Sequence, residues 1–254
     1  MTPIIELIGV CKSFGGLRAS WDISFSISEG EIVGLIGPNG AGKTTLINLI
    51  SGNLNPDSGK IIFRGAEIQG LAPDRANQLG IARTYQVVQP FRGMTVIENI
   101  TTGALFGRCG KGRSVVEAVK RAEEVAELCK IADKKTELVA NLTIADVRRL
   151  EIAKALATDP FLLLLDEALA GLNPREINES LSLIAEINRM GITILIIEHI
   201  MKAVMSVSRR VVVLHHGSVM AVDAPENIVC NEEVITAYLG HKYAARTRRQ
   251  DEKG

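Results

Sequence analysis

The chain has 254 residues, with 29 lysines and arginines against 29 aspartates and glutamates, 46% apolar residues and 4% aromatic ones. This is the length of one large domain, or of one domain carrying a smaller subdomain, and the composition excludes disorder of the whole chain. A formal net charge of zero argues against bulk attraction to nucleic acid, and no apolar run approaches the roughly 18 residues a membrane-spanning helix needs. The first residues, Met-Thr-Pro-Ile-Ile-Glu, carry neither a basic region nor a small-residue cleavage site, so no signal peptide is expected. Cys11, Cys109, Cys129 and Cys230 form no CxxC pair and have no histidine at ligand spacing. Reduced, mostly packed thiols in a cytosolic protein are expected, with no cysteine metal site.

In chain order, Ile4 to Val10 and Ile23 to Ile27 read as strands around a turn at Gly15-Gly16. Glu31 to Ile36 reads as a buried strand running into a glycine-rich loop, followed by a helix from about Lys43. Ile61 to Phe63 is a further strand. Pro73-Asp74 opens a short helix, because proline suits the first helical position and aspartate the positive end of the dipole. From about Pro90 to Ala157 the pattern becomes helix-rich: Ser114 and Glu117 are spaced as a capping box, and Val115, Val119, Ala122, Val125, Ala126 and Cys129 recur at helical spacing. Residues Gly107 to Gly112 between helices read as a loop. Phe161 to Leu165 is apolar on both faces, as a central parallel strand requires. Asn173-Pro174-Arg175-Glu176 starts a helix ending near Gly191, Ile192 to Ile197 is the next buried strand, and Val211 to Leu214 with Ser218 to Ala221 form a hairpin. The alternation predicts an α/β fold, mainly parallel, with an N-terminal antiparallel β region and an inserted helical subdomain.

Gly37-Pro38-Asn39-Gly40-Ala41-Gly42-Lys43-Thr44 fits GxxxxGK[ST] in full and lies between a strand and a helix, as that motif demands. Glycines let successive backbone N–H groups cradle phosphate oxygens, and the helix terminus adds its positive dipole. A chance match in a chain of this size has a probability on the order of 0.01. Residues Gly37 through Thr44, with Thr45 after them, are the nucleotide-binding candidates; Lys43 reaches the β- and γ-phosphates and the Thr44 hydroxyl suits Mg²⁺. Leu162 to Leu165 ends in Asp166-Glu167. Downstream of a phosphate loop this pair is expected to hold Mg²⁺ through water (Asp166) and to orient the attacking water (Glu167).

Together these motifs resemble the ATP-binding subunit of an ATP-binding cassette (ABC) transporter, over about Ile4 to Gly240. The resemblance implies the P-loop ABC fold, binding of ATP and Mg²⁺, transport-coupled hydrolysis, and attachment to permease subunits on the cytoplasmic face of a membrane. Phe14 matches the aromatic on which the family stacks adenine. Gln86 matches the glutamine that joins the metal and water site to the permease, and His199 the histidine that contacts the γ-phosphate. Ala170-Gly171-Leu172-Asn173 matches the loop that crosses to a second cassette. Ala82-Arg83-Thr84-Tyr85-Gln86, Met94 to Ile100, Arg149 to Ala153 and Ala237 to Gly240 look like the cassettes serving branched-chain amino acid importers, and more like the longer of that pair. A periplasmic or extracellular solute-binding protein is then an indirect partner. Residues Val87 to Ile100, with Val88, Pro90, Phe91, Arg92 and Met94, would receive a helix of the permease or would pack between subdomains.

The chain departs from the family at the signature that faces the other cassette's ATP, here Leu142-Thr143-Ile144-Ala145-Asp146. Thr143 keeps a hydroxyl, but Ile144 and Ala145 stand where glycines allow backbone N–H groups to approach phosphate. Asp146 adds a negative charge; at about 5 Å and an effective dielectric near 20, repulsion would be roughly 3 kcal/mol. With Thr143 and Ala145 as the contacts to the opposite ATP, a heterodimer is favoured over a homodimer. Ala168 and Ile200 replace the usual proline and acid. The expected ATPase domain is 1–240, a RecA-like core of about 1–87 and 158–240 around a helical subdomain of about 88–157, with a flexible tail over 241–254. Two alternatives stay open: a regulatory cassette with little turnover, and a soluble ABC ATPase not engaged in transport, which salt-sensitive binding to RNA or DNA would favour.

Overall fold

The computed structural model describes residues 2–86 and 89–239. The chain begins with a long hairpin, β1 (Pro3–Phe14) and β2 (Leu17–Ser28), closed at Gly15 and Gly16, both of which take positive φ. Because that turn is tight, pairing continues to Phe14 opposite Leu17, well past the expected ends at Val10 and Ile23. β3 (Ile32–Ile36) leads into the loop before α1 (Lys43–Ile50). β4 (Ser58–Phe63) and β5 (Ala66–Glu67) follow, then α2 (Pro73–Leu79) and β6 (Ile81–Arg83). Next come α3 (Val96–Phe106), α4 (Val115–Leu128) and α5 (Ile144–Ala157). The chain continues through β7 (Leu162–Asp166), α6 (Pro174–Arg189), β8 (Thr193–Ile197) and α7 (Met201–Val207). It closes with β9 (Arg210–His215), β10 (Ser218–Asp223), α8 (Pro225–Cys230) and α9 (Glu232–Leu239).

Two sheets result. One is antiparallel, in the order β2-β1-β4-β5; the other has the order β10-β9-β3-β8-β7-β6 and is parallel except at its β10 edge. β3, β7 and β8 are buried at every residue, the outcome expected of apolar strands without polar alternation. The side chains of β7 and β8 alternate between two cores. Leu163, Leu165, Ile194 and Ile196 pack with α3, α4, α5 and α6, while Leu162, Leu164, Leu195 and Ile197 pack with α1 and the antiparallel sheet. The mixed, mainly parallel core with its antiparallel N-terminal region matches the expected fold class. β6 was not foreseen: three residues carry no periodicity, and the strand forms because Gly80, at φ 107°, ends α2 and turns the chain alongside Leu162.

Among the helices, the Ser114–Glu117 capping box forms as expected, with Glu117 Oε2 accepting the Ser114 N–H at 2.7 Å. The buried stripe of α4 is Ala118, Ala122, Val125 and Ala126; Val115 and Val119, expected on it, face outward. A second capping box, Thr95 with Glu98, starts α3. Among the described residues no helix is long and apolar enough to cross a membrane.

One ion pair ties the sheets together. Glu31, 4% exposed, receives Arg210 Nε at 2.6 Å and Nη2 at 2.9 Å, while Arg210 also donates to Ser26 O at 3.0 Å and Glu31 accepts the Ser28 N–H at 3.0 Å. Burial pushes the Glu31 carboxyl up, but Arg210 and the Ser28 N–H outweigh it, so Glu31 titrates below its ordinary 4.5. Arg210→Met, which strands that buried carboxylate, is expected to lower unfolding free energy by about 2–4 kcal/mol in urea titrations at pH 7. A carboxyl depressed in the folded state stabilises above its unfolded pKa. The deficit of the variant should therefore shrink as pH falls below 4.5.

Candidate functional site

The loop between β3 and α1 is wedged between β2 and β9. A Cβ on Gly42 would lie 2.3 Å from Ala19 O, and one on Gly37 2.3 Å from Leu214 O. Gly42 also takes φ 100°, which L side chains rarely adopt. The glycines therefore serve close packing as well as the approach of a ligand. Lys43 is buried, and its Nζ donates to Gly37 O at 2.6 Å and Pro38 O at 3.1 Å. Burial lowers its pKa, against the charges of Glu167 and Asp166.

Parallel pairing brings the other candidates to the same end of the sheet. Glu167 follows β7 with φ 51°, a left-handed conformation uncommon for a non-glycine residue and typical of functional sites. Its N–H donates to Ile197 O at 3.0 Å, locking the ends of β7 and β8 together. Gln86 Nε2 donates to Glu167 Oε2 at 2.8 Å, and His199 Nε2 lies 2.5 Å from Glu167 Oε1. Gln86, Glu167 and His199, far apart in the chain, thus meet at one carboxylate.

Asp166 is 2% exposed. Burial raises its pKa; Arg83, Lys43 and His199 counter the rise and Glu167 adds to it. Arg83 Nη2 lies 3.3 Å from Asp166 Oδ2, and the same guanidinium bonds Asn48 Oδ1 at 2.7 Å and Ser51 Oγ at 3.0 Å. Sequence reasoning saw Arg83 only as part of a family string; its pairing with Asp166 crosses from β6 to β7 and leaves no local signature.

A cavity of about 740 Å³ opens over the loop, within the ~300–1,000 Å³ range of small-molecule sites. It is lined by Phe14, Asn39 through Thr45, Gln86, Glu167 and His199. Gly37 and Pro38 lie outside that lining, as does the buried Asp166. The geometry suits a nucleoside triphosphate: loop N–H groups, Lys43 and the N-terminus of α1 for phosphates, and a half-exposed Phe14 ring for a base. The oxygens of Thr44, Gln86 and Asp166 are the hard donors that Mg²⁺ takes. Four lining residues were missed, Leu17, Arg18, Ala19 and His216. They arrive because Trp21 N–H donates to Gly217 O at 2.7 Å and Gly217 N–H to Ala41 O at 3.1 Å, stitching β2, the β9–β10 turn and the loop together.

Thr143 and Ala145 lie at the start of α5, outside that lining. The Thr143 hydroxyl caps α5, accepting the Asp146 N–H at 3.2 Å and donating to Asp146 Oδ2 at 2.6 Å. Asp146 is 5% exposed and paired with Lys134, with Arg149 at 3.8 Å. Burial raises its pKa, but Lys134 and Thr143 bring it below the ordinary value. The repulsion anticipated from Asp146 is thus compensated within the chain; Ile144, in contrast, is exposed.

Comparison with known proteins gives a consistent outcome. The family model described as "ABC transporter" matches residues 21–170. The high-affinity branched-chain amino acid transport ATP-binding protein LivG of Salmonella typhimurium is 42% identical over 250 residues, covering 94% of this chain and 98% of LivG. The corresponding protein BraF of Pseudomonas aeruginosa is 39% identical with the same coverage. Among solved structures, an ATP-binding cassette of an ABC transporter in its ADP conformation superposes with a TM-score of 0.85 at 29% identity, covering 95% of this chain and 100% of that one.

Gly42→Ala forces a methyl against Ala19 O. It is expected to weaken binding of a fluorescent ATP analogue by at least about tenfold in titrations. The same change at Gly40, where a Cβ meets nothing within 4 Å, should weaken it less.

Proposed function

The chain belongs to the ABC transporter family, and on that premise we propose that it is the ATP-hydrolysing subunit of an importer for branched-chain amino acids or related small solutes. The observation that carries the catalytic part is the Glu167 carboxylate, held between Gln86 and His199 above the phosphate loop. The substrate class rests on likeness to the LivG and BraF proteins.

In this reading the loop N–H groups of residues 37–45 and Lys43 bind the triphosphate, and Phe14 stacks the base. Bound Mg²⁺ would neutralise phosphate charge and be held by Thr44, Gln86 and, through water, Asp166. Glu167 orients and polarises the attacking water. His199, bonded to the same carboxylate, contacts the γ-phosphate. Gln86 uses its Nε2 on Glu167, which leaves its Oε1 for the metal, so it can report metal and water geometry to a permease. Phe91 is half exposed next to this segment and supports a permease contact over residues 89–100; Val87 and Val88, also expected there, lie outside the described residues. The subunit sits on the cytoplasmic face of the membrane, and a solute-binding protein acts on the far side. The ATPase domain is taken as 1–240, with the helical subdomain at about 88–157 and the tail at 241–254.

Two cassettes act together, and a heterodimer is favoured. With Asp146 compensated by Lys134, steric bulk is the remaining reason: Ile144 and Ala145 lack the backbone freedom with which glycines approach the opposite ATP. This chain's own hydrolytic residues are complete, so a partner with a glycine-containing signature would finish its site. The same substitutions favour one second reading, a regulatory cassette with little turnover.

Steady-state MgATP hydrolysis decides between them. Turnover that Glu167→Gln reduces by about 100-fold or more supports the catalytic reading. Tight ATP binding without turnover, restored by a cassette with an intact signature, supports the heterodimer. Tight binding with no turnover in either setting supports the regulatory one.

A further inference from the structure

One buried carboxylate takes no part in the mechanism above. Glu198 lies between β8 and His199 and is 4% exposed. Its Oε1 accepts the N–H of Leu169 at 2.7 Å, and the N–H of His199 also bonds the carboxylate. Leu169 is fully buried two residues beyond Glu167, at the head of the segment that runs over Ala170-Gly171-Leu172 to α6. A single side chain therefore clamps the backbones of two separate loops, one carrying Glu167 and the other His199.

The same segment is held from a third direction. Arg148 of α5 donates from Nε to Ala170 O at 3.3 Å and from Nη1 to Gln86 O at 3.3 Å. The chain of contacts runs from α5 through Ala170 and Leu169 to Glu198 and His199, and returns through Glu167 to Gln86. A buried carboxylate with no such task is costly, because its desolvation is offset by only two backbone donors and a distant cation. A neutral side chain of similar volume would fill the same space without that cost.

We propose that Glu198 is a positioning residue for ATP hydrolysis, fixing the loop of His199 against the loop of Leu169 so that His199 and Glu167 stay in contact. The proposal rests on the catalytic reading of Glu167 and His199. Glu198 is not itself among the residues that line the nucleotide cavity; it acts through the two backbones. Burial pushes its carboxyl up to about 7; the Leu169 and His199 N–H groups and Arg148 favour the ionised form, and Glu167 opposes it. The ionised carboxylate accepts from both N–H groups, whereas protonation commits one oxygen to an O–H. The clamp thus tightens as pH rises through that value.

The test uses the full chain, with a partner cassette if turnover needs one, and three forms: wild type, Glu198→Ala and Glu198→Gln. Wild-type turnover that is lost in Glu167→Gln establishes the catalytic reading separately, so its failure is distinguishable from failure of this proposal. Glu198→Ala is expected to lower kcat by about tenfold or more while KM for ATP changes less than about threefold. Hydrogen exchange of peptides containing Leu169 and His199, measured without nucleotide, should accelerate by about tenfold or more. Glu198→Gln, which keeps one acceptor oxygen, should retain kcat within about fivefold and lose the wild-type fall in kcat below pH 7. The proposal is overturned if Glu198→Ala keeps kcat and exchange within about twofold of wild type. It is equally overturned if Glu198→Gln retains the wild-type acid limb, or if kcat falls only in step with global unfolding.

Discussion

Everything in this molecule that handles chemistry hangs from the parallel register of three buried strands. Both faces of β3, β7 and β8 are covered, so their side chains have no route to solvent, and only the strand ends are open. In that register Ile197 stands between Leu35 on one side and Asp166 on the other. The residues that follow each strand, the loop at 37–42, Glu167 and His199, therefore emerge at one level. A slip of one residue would exchange the two faces of a strand and separate these groups. Hydrophobic packing thus sets the geometry of a polar site to which it contributes no polar atom.

The site that results is crowded with charge, with Asp166 and Glu198 buried and His199 half exposed at the cavity. Asp166, Glu167 and Glu198 lie close together, answered by Lys43, Arg83, Arg148 and His199. Each carboxylate has its own donors: Arg83 for Asp166, Gln86 and His199 for Glu167, and backbone N–H groups for Glu198. Because the donors come from different elements, the charges act as cross-links between β6, β7, β8 and α5. Removing one donor leaves a buried charge uncompensated, which makes such a network rigid and sensitive at once.

The start of α5 follows a different logic. Asp146 turns inward to Lys134, and the Thr143 hydroxyl serves the helix as its N-cap. An acid in the first helical turn also suits the dipole. Local helix chemistry therefore accounts for Asp146, while the exposed Ile144 side chain gives the segment an outward apolar character.

Much was legible in the chain alone, because its signals are local. The glycine pattern with Lys43 and Thr44, the apolar strand ending in Asp166-Glu167, the capping box at Ser114 and the unalternated strands all express backbone conformation or burial that neighbouring residues dictate. Family strings located Phe14, Gln86 and His199. What only the tertiary structure decided are pairings between distant segments: Arg83 on Asp166, Asp146 on Lys134, Arg18 and His216 beside the cavity, and Glu198 across two loops. A side chain's partner at long range depends on strand order and register, and no short window of sequence carries that information.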